Sequence, residues 1–136
     1  MKTTAYRLDH VGIAVASIEE SLEIYRALGL RESGRRETVE SQGVVTAFLP
    51  VGETRLELLQ PTGEDSPVAR FLAKRGPGVH HLAYRVDDVA GALVRLRDEG
   101  ITPIDEVPRR GSRDTLIAFV HPKDMEGVLV ELVQVP

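Results

Sequence analysis

The chain has 136 residues, 42% of them hydrophobic, and a formal net charge of -4. It lacks cysteine, which excludes disulfides, thiolate metal sites and cysteine nucleophiles. The acidic balance argues against a nucleic-acid surface, and no segment approaches the roughly 20 apolar residues that a membrane span needs. We therefore expect a single soluble domain over residues 1–136, with no leader in its first nine residues, acting on a small molecule in the cytoplasm.

A stretch near the start of the chain recurs in its second half. His10 lies in Asp-His-Val-Gly-Ile-Ala-Val, and 71 positions later His81 begins His-Leu-Ala-Tyr-Arg-Val. Two further pairs share the offset, Gly29 with Gly100 and Phe48 with Phe119. Because self-similarity at a fixed period marks a repeated structural unit, the sequence predicts two equivalent modules.

Each module is predicted to contain a strand, a helix and further strands. Module one, about 8–61, has a strand over 8–15, a helix from Ser17 to Gly29, a polar segment 31–39 with a strand and a loop, and strands 44–49 and 54–60. Ile18, Leu22, Tyr25 and Leu28 mark the buried face of that helix. A linker helix covers about 66–76, and module two, about 79–136, has strand 79–86, helix 88–99 and strands 116–120 and 127–134.

The two histidines occupy equivalent places on equivalent strands. A lone histidine on a strand is usually a structural group, but here each has a small residue, Gly12 or Ala83, as its neighbour on the same face. His80 differs by one position from His81 and so points to the opposite face. The repeat therefore predicts that His10 and His81 face one cavity.

Two glutamates form a second equivalent pair. Glu57 and Glu131 alternate with branched apolar residues in the last strand of each module, so they lie on the opposite face from those residues. If the apolar face packs on the helices, both carboxylates lie on the same face as the histidines. Two imidazoles and two carboxylates buried together require a compensating cation. The sequence thus predicts a divalent metal held by His10, Glu57, His81 and Glu131, a donor set that suits Mn, Co, Ni, Zn or Fe.

Several motifs resemble the methylmalonyl-CoA epimerase family of the glyoxalase, or vicinal oxygen chelate, superfamily. The resemblance runs from about Leu8 to the end. Its main motifs are Asp-His-Val-Gly-Ile-Ala-Val at 9–15, Gln-Gly-Val at 42–44, Leu-Glu-Leu-Leu-Gln-Pro at 56–61, Ser-Pro-Val-Ala-Arg-Phe-Leu at 66–72, Gly-Val-His-His-Leu-Ala-Tyr-Arg-Val-Asp-Asp at 78–88, Ile-Ala-Phe-Val-His-Pro-Lys-Asp at 117–124 and Gly-Val-Leu-Val-Glu-Leu at 127–132.

The resemblance implies an α+β fold in which two tandem βαβββ modules form an open eight-stranded cup. It implies a homodimer with one divalent metal per subunit, commonly cobalt, on His10, Glu57, His81 and Glu131, although some relatives carry Gln at the position of Glu57. The implied activity is that of an isomerase of propionate metabolism, which interconverts the 2R and 2S forms of an acyl-CoA, methylmalonyl-CoA.

Inversion at C2 requires proton exchange on opposite faces of a planar enolate, so two acid/base groups are expected. Glu131 is one candidate. Some relatives place another glutamate four residues after the glutamine of Gln-Gly-Val, where this chain has Thr46. The second proton carrier is then Glu57, a water, or a neighbour such as Glu37 or Glu40.

A second departure lies at Gly-Ser-Arg-Asp, residues 111–114, where relatives often read Gly-Ala-His-Gly. Two alternative functions stay open. One is a lactoylglutathione lyase of the glyoxalase I type, which uses a similar His/Glu/His/Glu set. The other is a non-catalytic binding protein of the same superfamily, which would not need all four ligands.

Overall fold

The computed structural model describes residues 6–136. Residues 1–5, part of the stretch predicted to lack a leader, lie outside the described residues. The described chain forms two compact units, one of His10–His80 and the other of residues 6–9 with His81–Pro136. Each unit contains most of one predicted module, although residues 6–9 belong with the second.

The unit His10–His80 contains a four-stranded sheet and two helices. Its elements are β1 (Arg7–Ala14, which begins in the other unit), α1 (Ile18–Ala27), β2 (Glu37–Val39), β3 (Val44–Val51), β4 (Thr54–Pro61) and α2 (Pro67–Arg75). The strand order is β2-β3-β4-β1, with β1 parallel to β4 and the other neighbours antiparallel. The predicted strands and helices are all present, and the polar segment 31–39 forms a strand only at its end.

Serine hydroxyls cap the N-termini of both helices of this unit. The Ser17 hydroxyl accepts a hydrogen bond from the Glu20 backbone N–H at 3.2 Å, and the Ser66 hydroxyl accepts one from the Val68 N–H at 3.1 Å. These bonds satisfy amide groups that have no partner within the first helical turn. The prediction that Leu28 is buried is wrong: it is the residue after the last turn of α1 and is 73% exposed.

Apolar side chains cover both faces of this sheet. On one face, Ile18 and Leu22 of α1 pack with Leu58 of β4. On the other, Leu59 packs with Val68 of α2. Because Leu58 and Leu59 are consecutive, their opposite directions confirm the predicted alternation along β4.

The second unit repeats this strand order, and its last three strands are shorter than their equivalents in the first unit. Its elements are β5 (Gly78–Arg85, which begins in the first unit), α3 (Val89–Asp98), β6 (Arg109–Arg110), β7 (Leu116–Val120) and β8 (Val130–Gln134). The strand order is β5-β8-β7-β6, with β5 parallel to β8. Val89 and Leu93 of α3 pack on Leu132 of β8, and Leu96 packs at the edge of this cluster.

The last strand begins three residues later than predicted, at Val130 instead of residue 127. Glu126 and Gly127 have positive φ, which ends any extended conformation there. The Gly127 N–H donates to the Pro122 carbonyl at 2.8 Å, so these residues close a turn. Within residues 6–136, no helix is long and apolar enough to cross a membrane.

Candidate active site

The first unit buries a histidine–glutamate pair. Gly12 of β1 lies opposite Glu57 of β4. His10 precedes Gly12 by two residues, so the side chains of His10 and Glu57 are on the same face of the sheet. Glycine has no side chain between them, and His10 Nδ1 lies 2.9 Å from Glu57 Oε2. Each residue is only 3% exposed.

The second unit buries an equivalent pair. Ala83 of β5 lies opposite Glu131 of β8, and His81 precedes Ala83 by two residues. His81 Nε2 lies 3.1 Å from Glu131 Oε1, and both residues are 3% exposed. The ring of Phe119 meets the His81 ring edge to face at a centroid distance of 5.7 Å, which limits rotation of the imidazole.

The register around the two pairs is the same. In each unit the histidine lies two residues before a small residue, that residue faces a glutamate, and the glutamate faces a phenylalanine on the next strand, Phe48 or Phe119. The structure therefore brings each predicted histidine to the glutamate of its own module. One difference is the nitrogen that approaches the carboxylate, Nδ1 in His10 and Nε2 in His81.

His80, the neighbour of His81 on β5, contacts the linker helix. Its ring packs edge to face on Phe71 of α2, at a centroid distance of 5.0 Å. It thus belongs to the packing of the linker helix, within the first unit.

The buried pairs have the chemistry of metal ligands. A desolvated carboxylate needs a cation or a protonated partner nearby, and imidazole nitrogens and carboxylate oxygens are donors that divalent transition metals accept. Each pair therefore fits a divalent metal, to which it offers one nitrogen and one oxygen donor.

The position of Thr46, where the resemblance implied a glutamate, is buried. Thr46 is 1% exposed and lies on β3 opposite Glu37 of β2. Its hydroxyl donates a hydrogen bond to the Glu37 carbonyl at 3.4 Å. Glu40 lies beyond the end of β2, in a 3-10 turn, and is exposed.

Besides the two histidine–glutamate pairs, the second unit contains a cluster of charges around Asp9 that was not predicted. The Asp9 side chain is fully buried, and Arg85 donates to its Oδ1 from Nε at 3.2 Å and from Nη2 at 3.0 Å. Arg113, in the segment that departs from the family pattern, donates to Oδ2. Arg113 has φ 56°, an uncommon conformation for a residue with a side chain, and this ion pair holds it. The partners are 76 and 104 positions from Asp9, so no local pattern indicates the contact.

Replacing Asp9 by Asn is expected to lower the free energy of unfolding by about 3 kcal/mol, because two guanidinium groups then lose their shared carboxylate. Chemical denaturation measures this loss. Asp114→Asn is the matched control, since it changes the net charge equally at a side chain that is 81% exposed. Equal stability of the two variants would show that the Asp9 cluster does not stabilise the fold.

Two βαβββ modules, each with a buried histidine–glutamate pair, define a class of duplicated α+β domains with a candidate divalent-metal site. Comparison with known proteins identifies the family. Residues 9–119 match the Glyoxalase/Bleomycin resistance protein/Dioxygenase superfamily, and the chain belongs to it.

Relatives and solved structures agree with this assignment. The ethylmalonyl-CoA/methylmalonyl-CoA epimerase of Cereibacter sphaeroides is 40% identical over 131 residues, which are 95% of this chain and 98% of that protein. The crystal structure of methylmalonyl-CoA epimerase from Mycobacterium tuberculosis is 42% identical, with a TM-score of 0.90 over 95% of this chain and 87% of that one. A methylmalonyl-CoA epimerase in complex with methylmalonyl-CoA and NH4+ is 43% identical, with a TM-score of 0.89 over 95% and 94%. These matches confirm the predicted glyoxalase fold.

Proposed function

We infer that this protein is an isomerase that interconverts the 2R and 2S forms of methylmalonyl-CoA. The observation that carries the inference is the equivalent buried histidine–glutamate pair in each module, His10 with Glu57 and His81 with Glu131. It occurs in a chain that is 40–43% identical to proteins named methylmalonyl-CoA epimerases.

We propose that the two pairs together hold one divalent metal, so that modules 8–61 and 79–136 and the linker helix 66–76 act as one domain. Cobalt is the ion that the family resemblance favours, and Mn, Ni, Zn or Fe would suit the same donors. A divalent cation acts as a Lewis acid that polarises a carbonyl oxygen. The thioester carbonyl is the group that needs such polarisation if the neighbouring C–H is to lose its proton.

Glu131 is the proposed acid/base group on one side of C2. A carboxylate can take the C2 proton and return one, provided that it lies within hydrogen-bond reach of that carbon's hydrogen. Its contact with His81 orients the carboxylate, and the edge-to-face contact with Phe119 restricts the imidazole in turn. Inversion requires a second group on the other side.

The test is hydrogen exchange at C2. Cobalt-loaded protein in D2O is expected to add one mass unit to methylmalonyl-CoA and to convert either pure epimer into the mixture of both. The hemithioacetal of methylglyoxal and glutathione, offered as a parallel substrate, should stay unchanged. No exchange by metal-loaded protein, or turnover of the hemithioacetal instead, would contradict the proposed function.

From the same family resemblance we propose that the protein works as a homodimer, in the cytoplasm and in propionate metabolism. Light scattering on the purified protein tests the first of these, and a mass of about 30 kDa is expected, twice the 15.0 kDa of one chain.

A further inference from the structure

Inversion at C2 needs a second proton carrier, and threonine at position 46 cannot act as a free base near neutral pH. We propose that Glu37, on the neighbouring strand, is that carrier. The proposal rests on the proposed epimerase function and adds to it the residue that acts on the side of C2 opposite Glu131.

The strand register places Glu37 on the face of the sheet that carries Glu57. Phe48 of β3 lies directly opposite Glu57, and Thr46 is two residues before Phe48. Thr46 in turn lies directly opposite Glu37 of β2. Because directly opposed residues of antiparallel strands share a face, Glu37, Thr46, Phe48 and Glu57 all lie on one side. Glu37 is half-buried, and it is the direct cross-strand neighbour of the position where the missing glutamate would stand.

Few residues on this face can exchange a proton. On strands β2, β3 and β4 it carries two carboxylates, Glu37 and Glu57. Glu57 is already in contact with His10 at 2.9 Å. Glu40, the other candidate from the sequence, lies beyond β2 in a turn and is exposed. Glu37 is therefore the carboxylate best placed for the role.

The second module shows the direction that a side chain takes from this position. Arg109 of β6 lies opposite Ile117 as Glu37 lies opposite Thr46, and positions 46 and 117 are related by the repeat offset of 71. The guanidinium carbon of Arg109 lies 5.4 Å from the centre of the Phe119 ring. Phe119 is directly opposite Glu131. The arginine on this outermost strand thus extends across its neighbour towards the buried glutamate, and in module one the equivalent residue, Glu37, carries a carboxylate on a shorter side chain.

The test separates exchange from inversion. Glu37→Gln is expected to lower the rate of interconversion of the two epimers by about 100- to 10,000-fold, the usual effect of losing an acid/base group. Its solvent exchange at C2 should persist for one epimer only, the one whose hydrogen faces Glu131, and that epimer should keep its configuration. Glu40→Gln, the exposed control, should interconvert the epimers at the wild-type rate.

A rescue variant distinguishes the loss of a proton carrier from a structural effect of Glu37→Gln. Adding Thr46→Glu to Glu37→Gln returns a carboxylate to the directly opposed position and is expected to restore interconversion. Interconversion by Glu37→Gln at the wild-type rate, or equal loss of exchange from both epimers, would overturn the role of Glu37. A wild-type protein that exchanges neither epimer would instead contradict the proposed function, and this inference with it.

Discussion

Glu131→Gln is expected to reduce the rate of C2 exchange by at least about 1,000-fold, because the variant loses a proposed metal ligand and an acid/base group at once. The amide cannot accept the C2 proton, and it carries no charge to balance a cation. The measurement is deuterium incorporation into each pure epimer by mass spectrometry, with cobalt content determined on the same samples.

Glu57→Gln provides the informative comparison for Glu131→Gln. The two glutamates have the same register and the same burial, but only Glu131 is proposed to carry a proton. An amide oxygen can still coordinate a metal, as the glutamine of some relatives implies, so Glu57→Gln should retain its metal and lose less activity. Equal loss in both variants would contradict the separate role of Glu131.

His81→Ala is expected to weaken cobalt binding by more than about 100-fold. Removing a group that only orients a ligand costs 10- to 100-fold, and removing a ligand itself should cost more. The far-ultraviolet circular dichroism should stay that of the wild type, since the alanine leaves β5 with its backbone hydrogen bonds. Equilibrium dialysis against cobalt measures the affinity.

His80→Ala is the matched control, one position away on the same strand. Its ring packs on Phe71 of the linker helix, so its removal should cost packing energy and leave cobalt affinity unchanged. If both alanine variants bound cobalt as tightly as the wild type, His81 would not be a ligand.

The elements with strong local signals were predictable from the sequence. Strand β7 lies at Leu116–Val120 as predicted, and α1 and α2 begin within one residue of their predicted starts, each capped by a serine hydroxyl. Strand β6 was not predicted because its two residues, Arg109–Arg110, are too few to show any periodicity. The buried face of α1 was predicted to continue to Leu28, but the helix ends at Ala27 and Leu28 is exposed. The helical period alone does not show where the buried face of a helix ends.

The histidine–glutamate pairs could be predicted from the sequence, whereas the contacts around them could not. Duplication and strand alternation were enough to bring His10 to Glu57 and His81 to Glu131, because both depend only on position along a strand. Choosing Glu37 over Glu40 required the observed pairing of β2 with β3, which fixes the face of each residue. The cluster around Asp9 depends on a loop with positive φ, which no local pattern in this sequence indicates.

We propose that two equivalent histidine–glutamate pairs, one in each module, hold a single catalytic metal. The metal content of cobalt-loaded, dialysed protein tests this, measured by mass spectrometry in the wild type, His10→Ala and His81→Ala. We predict one cobalt per wild-type chain and close to none in either variant, because each pair alone supplies only half of the ligands. Two metals per wild-type chain, or full metal content after the loss of either histidine, would contradict the claim.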